Sequence, residues 1–153
     1  MNILLIQSYI TVHNPDTALT EPLGLLSLAS YLKQTQKEEI NINILDLFAL
    51  GYDTCEKREQ LYVKGISQKD EVLKHIENFR PDIVGINCKF TAYAQDSLEV
   101  ARIVKEYSRQ VIVVMGGAHA TMDAPQILER NSSVNYIVRG EGERDVSWQK
   151  FRV

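Results

Sequence analysis

Residues 116 to 121 form the stretch of this sequence that is best suited to holding a ligand. Gly116 and Gly117 end the apolar run that begins at residue 111, and His119 and Thr121 come just after them. Paired glycines permit a positive φ and let a ligand approach the backbone without meeting a Cβ atom. A tight turn that needs glycine only for its own conformation is the alternative explanation.

His119 is open to three interpretations: a hydrogen-bond donor to a ligand, a metal ligand, or a side chain in solvent. No set of carboxylates or cysteines at metal-ligand spacing accompanies it, so metal binding is the weakest of the three.

Two further loops offer hydrogen-bonding groups after apolar runs. Asn87 and Thr91 bring an amide and a hydroxyl together beside aromatic residues, which suits a ligand with an amide periphery. A helix cap is the other role open to Thr91. Residues 140–143 alternate glycine and glutamate. Their carboxylates could accept hydrogen bonds from a ligand or complement a helix dipole. Neither glutamate has an evident acid–base partner, so no catalytic residue is predicted.

Apolar runs and helical patterns alternate along the chain and must position these loops. The runs predicted as strands are 3–6, 40–46, 83–86, 111–115 and 136–138. The second run alternates apolar and polar residues, which predicts an edge strand. Apolar stripes at helical spacing predict helices around residues 22–32, 72–79, 94–104 and 124–128. Ser67 and Asp70 resemble a capping box for the second helix. Residues 7–16 and 51–65 are predicted as loops, the latter with room for a short helix.

Strands that alternate with helices predict a parallel sheet covered on both faces. In such sheets ligands bind beyond the carboxyl ends of the strands, and the four loops that begin at residues 7, 87, 116 and 140 all lie there. With 153 residues, 44% of them hydrophobic, the chain suits one domain with its own core.

Composition argues against several partners. The net charge is −3 and contains no basic run, so nucleic acid is not predicted. Cys55 and Cys88 lack metal-ligand spacing and are predicted to be free thiols in a reducing cytosol. The apolar run at the N-terminus is too short for a signal peptide or a membrane span. A cytoplasmic protein without a membrane partner is therefore expected.

The sequence lacks residues that other classes of protein with this architecture require. A phosphoacceptor receiver domain needs paired acids after the first strand, an aspartate after the third and a lysine after the fifth. Those places hold Gln7 and Ser8, Asn87, and Arg139. No glycine follows the first strand directly, which argues against flavodoxin-type and dinucleotide-type phosphate loops.

Four motifs then occur in a specific order. Residues 21–29 read EPLGLLSLA, residues 81–86 PDIVGI, residues 115–121 MGGAHAT with Pro125 beyond, and residues 138–143 VRGEGE. Each is weak alone, but their order and spacing over nearly the whole chain resemble the N-terminal cobalamin-binding (B12-binding) domain of radical SAM proteins.

This resemblance implies a flavodoxin-like, Rossmann-like three-layer α/β sandwich with a five-stranded parallel sheet of order 2-1-3-4-5. It implies cobalamin as the cofactor, with the corrin ring at the carboxyl edge and the nucleotide tail between strands. The residues expected to meet the cofactor are Ser8, Asn87, Thr91, Gly116, Gly117, His119, Thr121, Gly140, Glu141 and Gly142.

The sequence departs from the family pattern after the first strand. Better-known cobalamin domains carry D-x-H-x-x-G there, whereas the nearest match, around His13, lacks the aspartate and the glycine. His13 is therefore not expected to ligate cobalt. Two possibilities stay open: cobalamin bound without a histidine below it, or a cofactor-free interaction or substrate-recognition domain of a radical SAM protein.

The two cysteines cannot form the C-x-x-x-C-x-x-C triplet of a radical SAM domain. Residues 1–143 are accordingly predicted as the cobalamin-binding-like domain, and residues 144–153 as the start of a last helix that leads to a radical SAM domain. That domain would bring S-adenosylmethionine and a 4Fe-4S cluster, and it is the expected partner alongside cobalamin. A homodimer is left open.

Overall fold

A computed structural model of the protein describes residues 1–18, 20–36 and 39–145. The strands are β1 (Asn2–Gln7), β2 (Ile10–Val12), β3 (Asn41–Asp46), β4 (Cys55–Arg58), β5 (Leu61–Lys64), β6 (Ile83–Asn87), β7 (Ile112–Gly116) and β8 (Tyr136–Ile137). The helices are α1 (Leu23–Thr35), α2 (Leu47–Leu50), α3 (Lys69–Phe79), α4 (Ala94–Tyr107), α5 (Ala118–Met122), α6 (Ala124–Arg130) and α7 (Gly142–Asp145). The helix predicted to continue beyond residue 145 lies outside the described residues.

Five strands form a parallel sheet, the main sheet, in the order β3-β1-β6-β7-β8. Numbered along the chain among themselves, these strands have the order 2-1-3-4-5, which confirms the predicted flavodoxin-like α/β fold. β3 lies at an edge, as its alternating pattern predicted. The central strands are nearly continuous apolar runs because helices cover both of their faces.

The two faces of the main sheet differ in packing. On the α4 face, covered by α3 and α4, the inward side chains of the central strands are all large and buried in one cluster: Leu4, Ile6, Val84, Ile86, Val113 and Met115. On the α1 face, Leu25, Ala29 and Leu32 of the helix pack on Ile3 and Ile83. This second cluster is the smaller of the two.

Side chains on the α1 face become smaller or more polar towards the carboxyl ends of the strands. Paired residues across β1, β6 and β7 run Ile3, Ile83 and Ile112, then Leu5, Gly85 and Val114, then Gln7, Asn87 and Gly116. Since successive side chains alternate between faces, the glycines at 85 and 116 remove bulk from this face alone. A hollow therefore opens between α1 and the end of the sheet.

Residues 51–65 are not a loop, which corrects the expectation from the sequence. They contain the hairpin of β4 and β5, and β2 pairs with β5, so these strands form a second, antiparallel sheet of order β2-β5-β4. β2 itself falls in the predicted loop 7–16. All four residues of β4 are exposed, so no apolar alternation marked it as a strand.

The predicted capping box is also wrong. The N-cap of α3 is Gln68, one residue later than Ser67, and no side chain caps the helix. The Ser67 hydroxyl instead accepts a hydrogen bond from Arg58 at 3.4 Å. The helix ends as predicted before Pro81, where Arg80 adopts a left-handed conformation with φ 53°. Among the residues described, no helix is long and apolar enough to cross a membrane.

Candidate functional site

The hollow on the α1 face is a cavity, which we call the slot. It encloses about 730 Å³ including its open mouth. Its aliphatic walls are the side chains of Leu5, Leu25, Leu28, Val114 and Val138, and Ile86, whose side chain packs on the α4 face, also borders it. Six glycines also line it: Gly24, Gly85, Gly116, Gly117, Gly140 and Gly142. Its polar side chains are Asn87, Glu141 and Glu143.

Several of these glycines leave space that a side chain would occupy. A Cβ atom added to Gly24 would meet nothing within 4 Å. One added to Gly116 would stand 3.9 Å from the Val138 Cβ, and one on Gly142 would stand 3.8 Å from the Leu28 Cδ1. Both distances are ordinary van der Waals contacts. The chain's own packing therefore does not require glycine at these three positions, and the free volume is available to a ligand.

Gly117 differs from its neighbour. Its φ is 107°, and a Cβ there would lie 2.8 Å from both the Cys88 carbonyl oxygen and the Asn87 Oδ1. An L-residue at 117 would be strained and would collide with the adjoining strand end. Of the two explanations open from the sequence, the steric one therefore accounts for Gly117. Gly116 fits the ligand explanation, since nothing in the described chain crowds it.

The slot opens into a broader depression at the carboxyl edge of the sheet, which we call the rim. Gly24, Asn87 and Gly117 line both cavities. The rim encloses about 1230 Å³ including open solvent. Its other lining residues mix amide, hydroxyl, charged, aromatic and apolar groups: Gln7, Ile10, Thr17, Ala18, Thr20, Glu21, Pro22, Leu23, Phe48, Lys89, Phe90, Tyr93 and Ala118.

Hydrogen bonds fix the polar groups at the mouth of the slot. The Asn87 side chain donates from Nδ2 to the Gln7 Oε1 at 2.8 Å. The Ser27 hydroxyl of α1 donates to the Glu143 Oε1 at 2.6 Å, and this bond holds the pKa of Glu143 below its ordinary value. The contact ties α1 to α7 across the slot. Glu141 is exposed.

Not all of the residues predicted from the sequence reach the slot. Asn87, Gly116, Gly117, Gly140, Glu141 and Gly142 line it. Ser8 is 2% exposed and its hydroxyl pairs with that of Ser97 at 3.1 Å. It lines neither cavity.

Three other predicted residues act on one another or on the slot wall. The Thr91 hydroxyl and the His119 Nδ1 lie 3.1 Å apart and hydrogen-bond to each other, and neither residue lines the slot or the rim. Thr91 does not cap α4, whose N-cap is Tyr93 without a side-chain bond. The Thr121 hydroxyl accepts a hydrogen bond from the Gly140 amide at 3.0 Å. Thr121 thus positions the glycine-rich wall of the slot and does not line it.

Sequence reasoning missed the contribution of α1. The motif at residues 21–29 carried the family resemblance, yet no site role was predicted for its residues. Gly24, Leu25 and Leu28 form one wall of the slot. Gly24 was the signal in the sequence. A glycine near the start of an otherwise strong helix lowers helix stability, so its presence there indicates a role in packing.

The second sheet supports the rim. Lys64 of β5 is buried, and its Nζ donates to the Pro15 and Thr17 carbonyl oxygens at 2.7 and 3.0 Å. The ammonium also lies 5.1 Å from the centroid of the Tyr52 ring. These bonds hold the segment that contributes Thr17 and Ala18 to the rim. The hairpin was not recognised in the sequence, so this role could not be predicted.

The described residues contain no group of three or more histidine, cysteine, aspartate or glutamate side chains that could hold a metal ion. His13 lies in a separate cleft beside Thr11 and Asp96. Cys55 is exposed and Cys88 buried, and both are free thiols. Burial raises the pKa of the Cys88 thiol to about 11, so it is protonated and unreactive at neutral pH.

The chain belongs to the B12-binding domain family, whose model matches residues 16–147. It is 36% identical over 122 residues to an uncharacterized methyltransferase from Pyrococcus horikoshii, covering 80% of this chain and 22% of that protein. It is 30% identical over 127 residues to cytidylyl-2-hydroxyethylphosphonate methyltransferase from Streptomyces wedmorensis, covering 81% and 23%. The chain thus spans less than a quarter of the length of these relatives.

Two further similarities are more limited. An anaerobic magnesium-protoporphyrin IX monomethyl ester cyclase from Rubrivivax gelatinosus is 36% identical over 76 residues, which cover 50% of this chain and 14% of that protein. The structure of the response regulator TrrA from Thermotoga maritima superposes with a TM-score of 0.50 at 13% identity, covering 97% of this chain and 94% of that chain. At this identity the structural likeness shows the fold alone.

Proposed function

We propose that this chain is the cobalamin-binding module of a B12-dependent radical SAM enzyme of the methyltransferase type. In this proposal it presents the corrinoid to a catalytic domain outside the chain. Membership of the B12-binding domain family supports the choice of cofactor. The two methyltransferases among the relatives support the reaction class.

The observation that carries the proposal is the shape of the joined slot and rim. The slot is the smaller cavity and is lined mainly by aliphatic residues and glycines, and the rim is the larger cavity and is mixed in polarity. Cobalamin has a matching division into a nucleotide arm and a wide corrin fringed with amides. The fit depends on Gly24, Gly116 and Gly142, because side chains there would fill the narrow arm.

The residues present divide the work of holding such a group. Those lining the slot would surround the nucleotide arm, and amide and hydroxyl groups at the rim, such as Gln7 and Thr17, would meet the amide fringe. When bound, the corrinoid supplies the organometallic chemistry of its cobalt, and the protein's part is binding and orientation.

Among the described residues, no histidine lines the slot or the rim. His13, the nearest match to the family's histidine motif, lies in the separate cleft with Asp96. Of the two possibilities left open by the sequence, we therefore propose cobalamin bound without a histidine ligand from this chain.

Residues 1–143 would form the binding module, and the remainder would lead towards the catalytic domain. The length of the relatives, of which this chain covers 22% and 23%, supports a larger protein. S-adenosylmethionine and a 4Fe-4S cluster would belong to that other domain.

Titration with hydroxocobalamin tests the proposal. We expect a change in the visible absorbance spectrum and co-elution of the corrinoid with the protein. Gly24→Leu should weaken binding at least about tenfold by filling the slot, while thermal stability is retained because a Cβ there meets nothing within 4 Å. Gly24 is a better site than Gly117, where any side chain would disturb the fold itself.

Ser30→Leu is the matched control, since it adds the same side chain to an exposed position of α1. It should bind like the unmodified chain. Absence of binding by the unmodified chain would contradict the proposal and favour a cofactor-free interaction domain. Equal binding by Gly24→Leu would show that the ligand does not enter the slot.

A further inference from the structure

The interior of the slot is aliphatic on opposite sides. Leu5 and Val114 of the sheet are 0% and 3% exposed, and Leu25 of α1 is 7% exposed. Val138 closes the third side: its Cβ lies 3.9 Å from the position of a Cβ on Gly116, and its Cγ1 lies 4.0 Å from one on Gly142. The side chains that a ligand in the interior would contact are therefore aliphatic.

Among the described residues, the polar side chains that line the slot lie at its mouth. Asn87 stands where the slot joins the rim and already bonds Gln7. Glu143 already accepts from Ser27, and Glu141 is exposed. No lysine or arginine is among the described residues that line the slot. These carboxylates suit hydroxyl or amide donors at the mouth, such as the hydroxyls of a ribose.

We propose that the slot selects the nucleotide base of the corrinoid, preferring the apolar 5,6-dimethylbenzimidazole of cobalamin to the adenine of pseudocobalamin. This inference rests on the proposed function and specifies which cobamides the same site accepts. Dimethylbenzimidazole presents two methyl groups and a hydrocarbon ring to the aliphatic walls. Adenine presents an amino group and additional ring nitrogens, which lose their hydrogen bonds to water when they enter such walls.

Binding of three corrinoids to the 153-residue chain tests the inference: hydroxocobalamin, hydroxopseudocobalamin and cobinamide, which lacks the base. We expect the dissociation constants of pseudocobalamin and cobinamide to be at least about tenfold higher than that of cobalamin. If cobalamin and pseudocobalamin bind equally, base selection is wrong while the proposed function stands. If none of the three binds, the proposed function fails as well.

Val138→Thr sharpens the test because threonine has nearly the shape of valine and adds a hydroxyl inside the slot. We expect the ratio of the pseudocobalamin and cobalamin dissociation constants to fall at least about threefold. Each base must leave the cobalt of the free corrinoid before it enters the slot, and the two bases leave with different ease. This difference is the same for every variant, so it cancels when the ratio is compared between variants.

Val134→Thr is the control, because Val134 is buried in the cluster of the α4 face and does not line the slot. It should leave the ratio unchanged. A ratio that is insensitive to Val138→Thr, or that moves equally in both variants, would overturn the assignment of base selection to the slot.

Discussion

The two faces of the main sheet share the three central strands, β1, β6 and β7, and differ in how those strands are packed. On the α4 face every inward residue of β1, β6 and β7 is large, and the six side chains are at most 1% exposed. On the α1 face the row nearest the carboxyl ends holds Gln7, Asn87 and Gly116. The α4 face is packed along the whole length of the strands, whereas the α1 face is packed near their amino ends and open at their carboxyl ends.

This difference separates stability from binding within a single sheet. Large buried side chains stabilise a fold by packing closely. Most of this close packing is on the α4 face. Because that face holds the larger cluster, the α1 face can leave volume empty near the functional edge. Alternation of side chains along a strand makes the separation possible, since neighbouring residues belong to different faces.

Leu4 and Leu5 give the largest expected contrast between the faces. They are adjacent on β1, 1% and 0% exposed, and belong to the α4 and α1 clusters respectively. We expect Leu4→Ala to lower the free energy of unfolding by about 3–5 kcal/mol and Leu5→Ala by about 2–3 kcal/mol, because Leu5 borders the slot and loses fewer neighbours. Urea denaturation measures both, and equal losses would contradict the difference in packing.

Gly116 and Gly117 give the next contrast, between a glycine that leaves room and one that the fold requires. We expect Gly117→Ala to lower the free energy of unfolding by about 2–4 kcal/mol, because of left-handed backbone strain and the collision with Cys88. Gly116→Ala should cost less than about 1 kcal/mol, because its φ is not positive and its Cβ has space. Thermal unfolding of the two variants measures and compares these losses of stability. A reversed order would mean that the turn geometry is misassigned.

Ser27→Ala gives the smallest expected effect and tests the tie across the slot. The Ser27 hydroxyl holds the pKa of Glu143 below its ordinary value. Its stabilising contribution is therefore present above the ordinary glutamate pKa and is lost as the pH falls through the lowered one. We expect the variant to return the pKa of Glu143 towards its ordinary value in a carboxyl NMR titration. An unchanged pKa would show that the α1–α7 contact does not form in solution.

The sequence predicted most of the main sheet. Continuous apolar runs identified β1, β6 and β7, and the alternating run identified β3 as an edge, because burial on one or two faces leaves a direct mark on residue type. The hairpin of β4 and β5 left no such mark, since β4 is exposed throughout. The role of Lys64 in supporting the rim was hidden with it.

The candidate site was only partly predictable. The four loops were expected at the carboxyl edge from topology alone, and Asn87, Gly116 and the 140–142 segment do line the slot. Ser8 was expected there too, but its hydroxyl turns into the interior towards Ser97. The type of a residue and its position at a strand end do not determine the direction in which its side chain points.

By itself, the sequence determined the strands of the main sheet, their alternation with the larger helices and the edge at which the predicted ligand-binding loops lie, because periodicity and strand–helix alternation are local properties of the chain. Tertiary structure alone decided that α1 stands away from Gly116 and leaves a slot, and that Gly117 is glycine for steric reasons. Both depend on distances between segments far apart in the chain, such as the 2.8 Å that would separate a Cβ on Gly117 from the Cys88 carbonyl. Such distances exist only once the elements have packed.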